Sequence, residues 1–481
     1  MNRRTKIVAT LGPATDNESQ LESLLLAGVN VVRLNFSHGD AEDHLHRAAQ
    51  VRKIAKQHDL FVAIMGDLQG PKIRIARFAD GPITLNTDDE FTLDAELALD
   101  KGNQTQVGLD YPALISDCSP GDILLLDDGR VELEVTEKNA SQLKCRVIQP
   151  GILSNNKGIN RKNGGLSAPA LTEKDFRDIQ LAAQIGVDYL AVSFPRSADD
   201  IETARQSLRD AGSGAGIVAK IERAEAVNDH QRLDQIISAS DAVMVARGDL
   251  GVEIGDAALI GVQKHIIDRA QHLNRSVITA TQMMESMITN PLPTRAEVFD
   301  VANAVLDGTD AVMLSAESAA GQYPIEAVEA MGRIIVGAEQ QDEQRQQNHL
   351  SNSASRIDET IALAAISATR LLPAIKAIVC MTESGRTPLL MSRSRGSAPI
   401  FAFTRHPKTQ HKVSLYRGVQ TIAFDSDRIA SCDINQHAVE ILLRRGEIKK
   451  GDLVLLTKGD YHNVHGGTNT LKLVIAGEQI H

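Results

Sequence analysis

The apolar run that begins at Gly216 closes on Lys220-Ile221-Glu222, and the two-residue repeat of an extended strand aims this ammonium and carboxylate from one face. A second run, Asp241–Asp249, ends in Arg247-Gly248-Asp249 and brings another carboxylate. Two acids with room for water between them suit Mg2+, a hard cation that takes few protein oxygens and keeps part of its hydration shell. Polar residues close other apolar runs in the same way. The segment from Thr279 to Glu285 supplies Thr281, and Met313 to Glu317 supplies Ser315 and Glu317. Arg33 to Gly39 supplies Arg33, Asn35, Ser37 and His38, and Gly66 to Arg74 supplies Asp67, Leu68, Lys72 and Arg74. The guanidiniums of Arg33 and Arg74 suit forked hydrogen bonds to phosphate. The chemistry these residue types allow is metal-assisted handling of a phosphorylated small molecule.

For such residues to meet, the runs that end in them must lie side by side. Eight apolar runs alternate with amphipathic helical stretches: Ile7–Leu11, Val29–Phe36, Phe61–Leu68, Asp188–Phe194, Gly216–Glu222, Asp241–Asp249, Ser276–Met284 and Asp310–Glu317. That alternation predicts an α/β fold, a (β/α)8 barrel whose reactive groups sit at the C-terminal ends of its strands. The interval from Phe61 to Asp188 is longer than the others by about a hundred residues. This excess, 71–168, has the alternation and turn signals of an inserted β domain, as in Val131-Glu132-Leu133-Glu134-Val135 and Asp127-Asp128-Gly129. The barrel is expected to span 1–70 and 169–345. The polar run Gln340–Asn348 reads as a linker or solvated helix end, and 346–481 as a C-terminal α/β domain with strands at Ala377–Thr382, Pro399–Thr404, Leu453–Thr457 and Leu471–Ile475. Thr294-Arg295-Ala296-Glu297 is a capping box with Val298, Val301, Ala302 and Val305 behind it on one helix face.

Composition narrows the function. The chain of 481 residues is 42% hydrophobic with 35 glycines, 3% aromatics and no Trp. Its net charge is −11 and no basic stripe carries interleaved aromatics, which argues against nucleic acid as a partner. The apolar stretch after the basic start ends within five residues at Gly12-Pro13, too short for a signal or a span, so no membrane partner and a cytoplasmic location are expected. Four dispersed cysteines, Cys118, Cys145, Cys380 and Cys432, read as reduced core thiols.

Taken together, the segments Lys6–Thr15, Arg33–Gly39, Asp67–Arg74, Lys220–Glu222, Val245–Glu253, Ala280–Met287, Pro293–Gly308 and Met313–Glu317 resemble pyruvate kinase over almost the whole chain. The resemblance implies transfer of a phosphoryl group from phosphoenolpyruvate to ADP, giving pyruvate and ATP as the last step of glycolysis. It implies Mg2+, replaceable by Mn2+, on Glu222 and Asp249, with Lys220 neutralising the moving phosphoryl group and Arg33 on phosphate. Gly248, Asp249, Thr281 and Ser315 would line the pocket for the three-carbon acid, with Thr281 near the face that is protonated. Asn35, His38, Arg74 and Lys157 would meet the nucleotide, and the insert would act as a lid.

Two departures carry expectations of their own. Asn35, Ser37, Asp67 and the backbone of Leu68 match the family's monovalent-cation site, but Leu68 stands where many members have Thr and Lys72 where many K+-dependent members have Glu. A tethered ammonium can replace the bound cation, so K+ is expected not to be required. In the last domain Thr382-Glu383-Ser384-Gly385-Arg386-Thr387 follows a strand and offers backbone N–H groups to a phosphate. It resembles the family's effector loop and implies a phosphorylated allosteric effector, and the family implies a homotetramer. A metal-dependent pyruvate aldolase, a Schiff-base lysine aldolase at Lys220 and a non-catalytic phosphometabolite sensor are the alternatives. The aldolases lack the insert and the last domain, and the sensor leaves the charge set unexplained.

Overall fold

The computed structural model describes residues 3–342, 354–460 and 467–480. Eight parallel strands close into a barrel in sequence order: β1 Lys6–Thr10, β2 Val31–Asn35, β3 Ala63–Asp67, β4 Tyr189–Val192, β5 Gly216–Ile221, β6 Ala242–Ala246, β7 Ser276–Ala280 and β8 Ala311–Leu314. β8 returns to β1 with Lys6 beside Ala311 and Leu314 beside Ala9. The strand residues are buried almost throughout, because the helices cover the outside and side chains fill the inside. Strand interiors such as Val8, Val31, Met65, Val218, Met244 and Ile278 form the inner core, and Val32, Ile64, Ile217, Val243 and Val277 pack outward on the helices.

The expected runs overshoot their strands at the C-terminal ends, and each overshoot has a local cause. β6 stops at Ala246, and Arg247–Ile254 is a helix, so Asp249 sits in a first helical turn and not on a strand. An acid is favoured there by the partial positive charge of the unpaired N–H groups. β7 stops because Thr281 and Gln282 adopt left-handed backbone, φ 68° and 54°. β8 stops at Leu314, and Ser315 precedes the short helix Ala316–Ala319. Glu222 lies one residue past β5.

Between β3 and β4 the insert builds a six-stranded sheet and a two-stranded one around its own core of Phe91, Leu93, Leu124, Leu133, Val147 and neighbours. Asp127, Asp128 and Gly129, all at positive φ, turn strand Ile123–Leu126 back into Val131–Lys138. The Thr294–Glu297 capping box forms on helix Arg295–Asp307, and Glu297 also accepts the N–H of Ser286 at 2.7 Å. Val301, Ala304 and Val305 are its buried residues.

The described part of the long helix, Pro324–Asp342, takes in the first residues of the polar run; the rest of that run falls outside the described residues. The C-terminal sheet has five strands. Its four expected members run Ile375–Met381, Ile400–Thr404, Leu453–Gly459 and Thr468–Ile475, joined by Val419–Ala423, which the sequence reading passed over. Among the described residues the last strand is the sole antiparallel one of this sheet. Cys118, Cys145 and Cys380 are buried, whereas Cys432 is exposed and is not a core thiol. Among the described residues no helix is long and apolar enough to cross a membrane.

Candidate active site

A ring of charge occupies the mouth of the barrel. Lys220 Nζ lies 3.0 Å from Glu222 Oε1 and 3.3 Å from Asp67 Oδ1, and donates to Ser193 Oγ at 2.7 Å. Asp67 Oδ2 receives Arg33 Nε at 2.5 Å, and Arg33 Nη1 reaches Thr10 Oγ1 at 3.1 Å. Glu222 Oε2 accepts the N–H of Phe194 at 2.8 Å. Asp67 and Glu222 are 1% and 2% exposed at the side chain, so the ring is sealed on the barrel side.

Position sets the protonation states. Burial disfavours the Lys220 ammonium, but Asp67 and Glu222 outweigh it and hold its pKa above the ordinary lysine value. Burial likewise disfavours the Asp67 carboxylate, yet Lys220 and Arg33 hold it below the usual carboxylate range. Glu222 goes the other way. Burial, with the charge of nearby Asp249 added, pushes it up to about 7 against the pull of Lys220. Of the two acids against Lys220, Glu222 is therefore held less firmly as an anion than Asp67.

Asp249 stands across from Glu222 at the edge of a cavity of about 490 Å3 between barrel and insert. Its Oδ1 lies 3.3 Å from Lys72 Nζ. Gly248 donates its N–H to Thr281 Oγ1 at 2.8 Å, and Thr281 Oγ1 donates to Ala280 O at 2.6 Å. A β-branched residue at φ 68° is strained unless its surroundings hold it. Arg247 does so: its guanidinium donates to the carbonyl of Thr281 at 2.7 Å and is locked by two 2.7 Å bonds to Asp300.

The sequence reading missed Arg247, Asp300 and Ser193. An arginine directly before Gly248-Asp249 is the available signal for the first; nothing local marks Asp300, the sixth residue of helix Arg295–Asp307, or Ser193, one residue past β4. Asp67 was assigned only to a monovalent-cation set, whereas it is the second acid against Lys220. Glu317 is turned inward, accepting the N–H groups of Met284 and Ser315, and acts as a structural clamp.

The remaining expected residues divide into groups. Asn35 accepts the N–H of Ser37 at 3.1 Å, and Leu68 O receives Ser193 Oγ at 2.7 Å. Lys72, from the start of the insert, meets Asp249, while Asp67 pairs with Arg33 and Lys220. Arg74 Nη1 bonds Asn156 O at 3.0 Å, next to Lys157, whose ammonium pairs with Asp127 at 2.7 Å. His38 lies on the barrel side, its carbonyl bonded by His44 Nε2 at 3.0 Å. In the last domain Thr382, Glu383 and Ser384 line a cavity of about 160 Å3 with Arg405, Lys458 and Asp460. Arg386 turns to Asp358 and Glu359 instead, and Thr387 bonds Thr468.

Comparison with known proteins agrees with this geometry. The family model "Pyruvate kinase, barrel domain" matches residues 2–328 and "Pyruvate kinase, alpha/beta domain" matches 359–474. The chain is 57% identical to pyruvate kinase II of Salmonella typhimurium over 98% of both chains. It is 55% identical to pyruvate kinase of Haemophilus influenzae, over 95% of this chain and 96% of that one. The crystal structure of a pyruvate kinase from Cryptosporidium parvum superposes with a TM-score of 0.91 at 32% identity, covering 98% of this chain and 96% of the other. With the charge ring at the barrel mouth, the insert above it and both domain models matched in order, the chain belongs to the pyruvate kinase family of phosphotransferases.

Proposed function

We propose that the mouth of β3, β5 and the turn after β6 performs the family's reaction, phosphoryl transfer from phosphoenolpyruvate to ADP, with the residue roles that follow. The observation that carries this reading is the sealed ring Arg33–Asp67–Lys220–Glu222 facing Asp249. A divalent ion fits this mouth because its charge would favour the ionised form of Glu222, which burial and Asp249 oppose. Such a cation keeps part of its shell for substrate and water and needs few protein oxygens. Mg2+ or Mn2+ on Glu222 and Asp249 would supply charge to the phosphate oxygens.

Lys220 remains an ammonium and screens the phosphoryl group as it passes between donor and acceptor oxygens. That protonation state argues against a Schiff base, which needs a neutral amine. Arg33, held rigid by Asp67 and Thr10, binds phosphate. Thr281, fixed by Arg247, presents its hydroxyl beside Gly248 and Asp249, where the enolate is to receive its proton, and Ser315 closes that pocket. Arg74 and Lys157 approach the nucleotide from the insert, Asn35 and His38 from the barrel. The insert, 71–168, moves over the mouth and keeps water from the phosphoryl group.

The finer readings rest on single features. Lys72 at Asp249 places a fixed cation at the site, which supports activity without K+. The cavity at Thr382–Ser384 with Arg405 and Lys458 supports a phosphorylated effector. Phe299, Leu292 and Ile260, each more than 60% exposed, and the edge strand Thr468–Ile475 with Leu473 and Ile475 exposed support association into a homotetramer. A coupled assay for pyruvate from phosphoenolpyruvate and ADP tests the reaction, with Lys220→Met as the inactive control. Borohydride trapping with pyruvate tests the aldolase alternative, and no covalent adduct is expected.

A further inference from the structure

The residues directly after Glu222 are bound to the returning end of the insert. Arg223 donates to the carbonyls of Leu166 at 3.0 Å and Ala168 at 3.4 Å, and Glu225 accepts the N–H of Gly165. Between them the N–H of Ala224 donates to Glu253 Oε2 at 2.7 Å. The other oxygen of Glu253 accepts Asn160 Nδ2 at 3.4 Å, from the last insert strand, Ile159–Arg161, and its carbonyl accepts the N–H of Asn163 at 3.1 Å. Glu253 itself is buried, 5% exposed, and belongs to the helix Arg247–Ile254 whose first turn holds Asp249. One side chain thus joins the turn after Glu222, the helix of Asp249 and the hinge side of the insert. No step of the transfer uses it.

We propose that Glu253 is a positioning residue that fixes the spacing of Glu222 and Asp249 and makes this spacing answer to the insert through Asn160. The inference rests on the reading that those two acids take the divalent ion. Its physical content is linkage: if insert closure and ion binding share one strut, each favours the other by the same free energy. Outer-shell partners of metal ligands act in this way, by orienting groups they do not replace.

The test is direct binding of Mn2+ to the full chain, followed by electron paramagnetic resonance with phosphoenolpyruvate present, together with amide hydrogen exchange across 71–168. Glu253→Ala is expected to weaken Mn2+ binding by about tenfold or more, and Glu253→Gln, which keeps an acceptor, to stay within about threefold of wild type. Mn2+ with phosphoenolpyruvate should slow exchange in the insert of wild type but not of Glu253→Ala. Asn160→Ala cuts only the insert end of the strut, and covers the case in which Glu253→Ala fails to fold. It should lose the exchange response while binding Mn2+ within about threefold of wild type. Glu222→Gln separates the two readings. If Glu222→Gln loses Mn2+ but Glu253→Ala and Asn160→Ala keep both binding and the exchange response, Glu253 is merely structural and the inference is overturned. If Glu222→Gln binds as wild type, the metal reading falls and this inference with it.

Discussion

Both rims of the barrel bury charged side chains and treat them differently. At the floor, where the C-terminal domain docks, Glu339, Asp310 and Asp241 are each met by several protein donors. Glu339 accepts the N–H groups of Arg4 at 3.0 Å and Thr5 at 2.6 Å and the Thr5 hydroxyl at 2.8 Å. Asp310 pairs through both oxygens with Arg393, from the end of helix Arg386–Arg393, and also takes the N–H of Val277 at 2.8 Å. Burial works against ionised Asp241, but Lys412, Arg205 and the N–H of Ile217 hold it well below the usual range. At the mouth, Glu222 is pushed up to about 7 in spite of its lysine. Both rims obey the rule that buried charge needs partners. The floor's acids meet it with protein donors, whereas at the mouth Glu222 stays raised beside its lysine.

The comparison breaks most visibly if charge removal at the mouth costs stability more than activity. Lys220→Met should lower kcat by about a thousandfold, as loss of a transition-state charge partner does, with a smaller fall in thermal midpoint than Arg393→Met, since Glu222, already raised to about 7, can take up a proton in place of the lost ammonium. A loss of under tenfold in the pyruvate assay would place the chemistry elsewhere. At the floor the converse is expected. Arg393→Met leaves Asp310 buried and unpaired and should cost about 3–5 kcal/mol in urea unfolding, while kcat of the folded fraction stays near wild type.

A third prediction uses pH. Burial, with Arg3 beside it, lowers Lys6 to about 7, and its ammonium donates to Val419 O at 2.6 Å. Because the folded chain releases this proton near pH 7 and the unfolded chain only near the ordinary lysine value, the unfolded state binds more protons between them. Stability from this group therefore rises with pH above about 7 and levels off near the ordinary lysine pKa of about 10.4. The unfolding midpoint of Lys6→Met should lack that rise. A parallel pH profile for the two proteins would remove Lys6 from the floor's buried charges.

The same contrast explains what the sequence made legible. Lys220 and Glu222 could be placed on one face because strand alternation is a local rule, and the eight runs announced the barrel for the same reason. The ends of those runs were harder. Thr281 takes a left-handed backbone whose carbonyl Arg247, anchored by Asp300, holds in place, and Asp249 belongs to a helix whose first residue looks like strand. Asp67 was legible as a residue but not as the partner of Lys220, since β3 and β5 meet at the mouth only through barrel closure, with β4 between them. Val419–Ala423 escaped notice because a five-residue strand containing Gln420 and Thr421 carries little apolar signal. Long-range partnership, not residue type, is what the linear text omits.

The smallest effect sharpens the account of the mouth itself. If Lys72 at Asp249 supplies the fixed charge that a monovalent ion supplies elsewhere in the family, adding K+ to a K+-free assay should change the rate by less than about tenfold. Lys72→Glu removes that ammonium and adds a carboxylate beside Asp249, so the variant should be slow without K+ and recover part of its rate when K+ is added. Stimulation of wild type by tenfold or more would show that the ammonium does not serve as the cation. Lys72 would then be an ordinary partner of Asp249, and the mouth would lack two cations in the absence of ligands, one divalent and one monovalent.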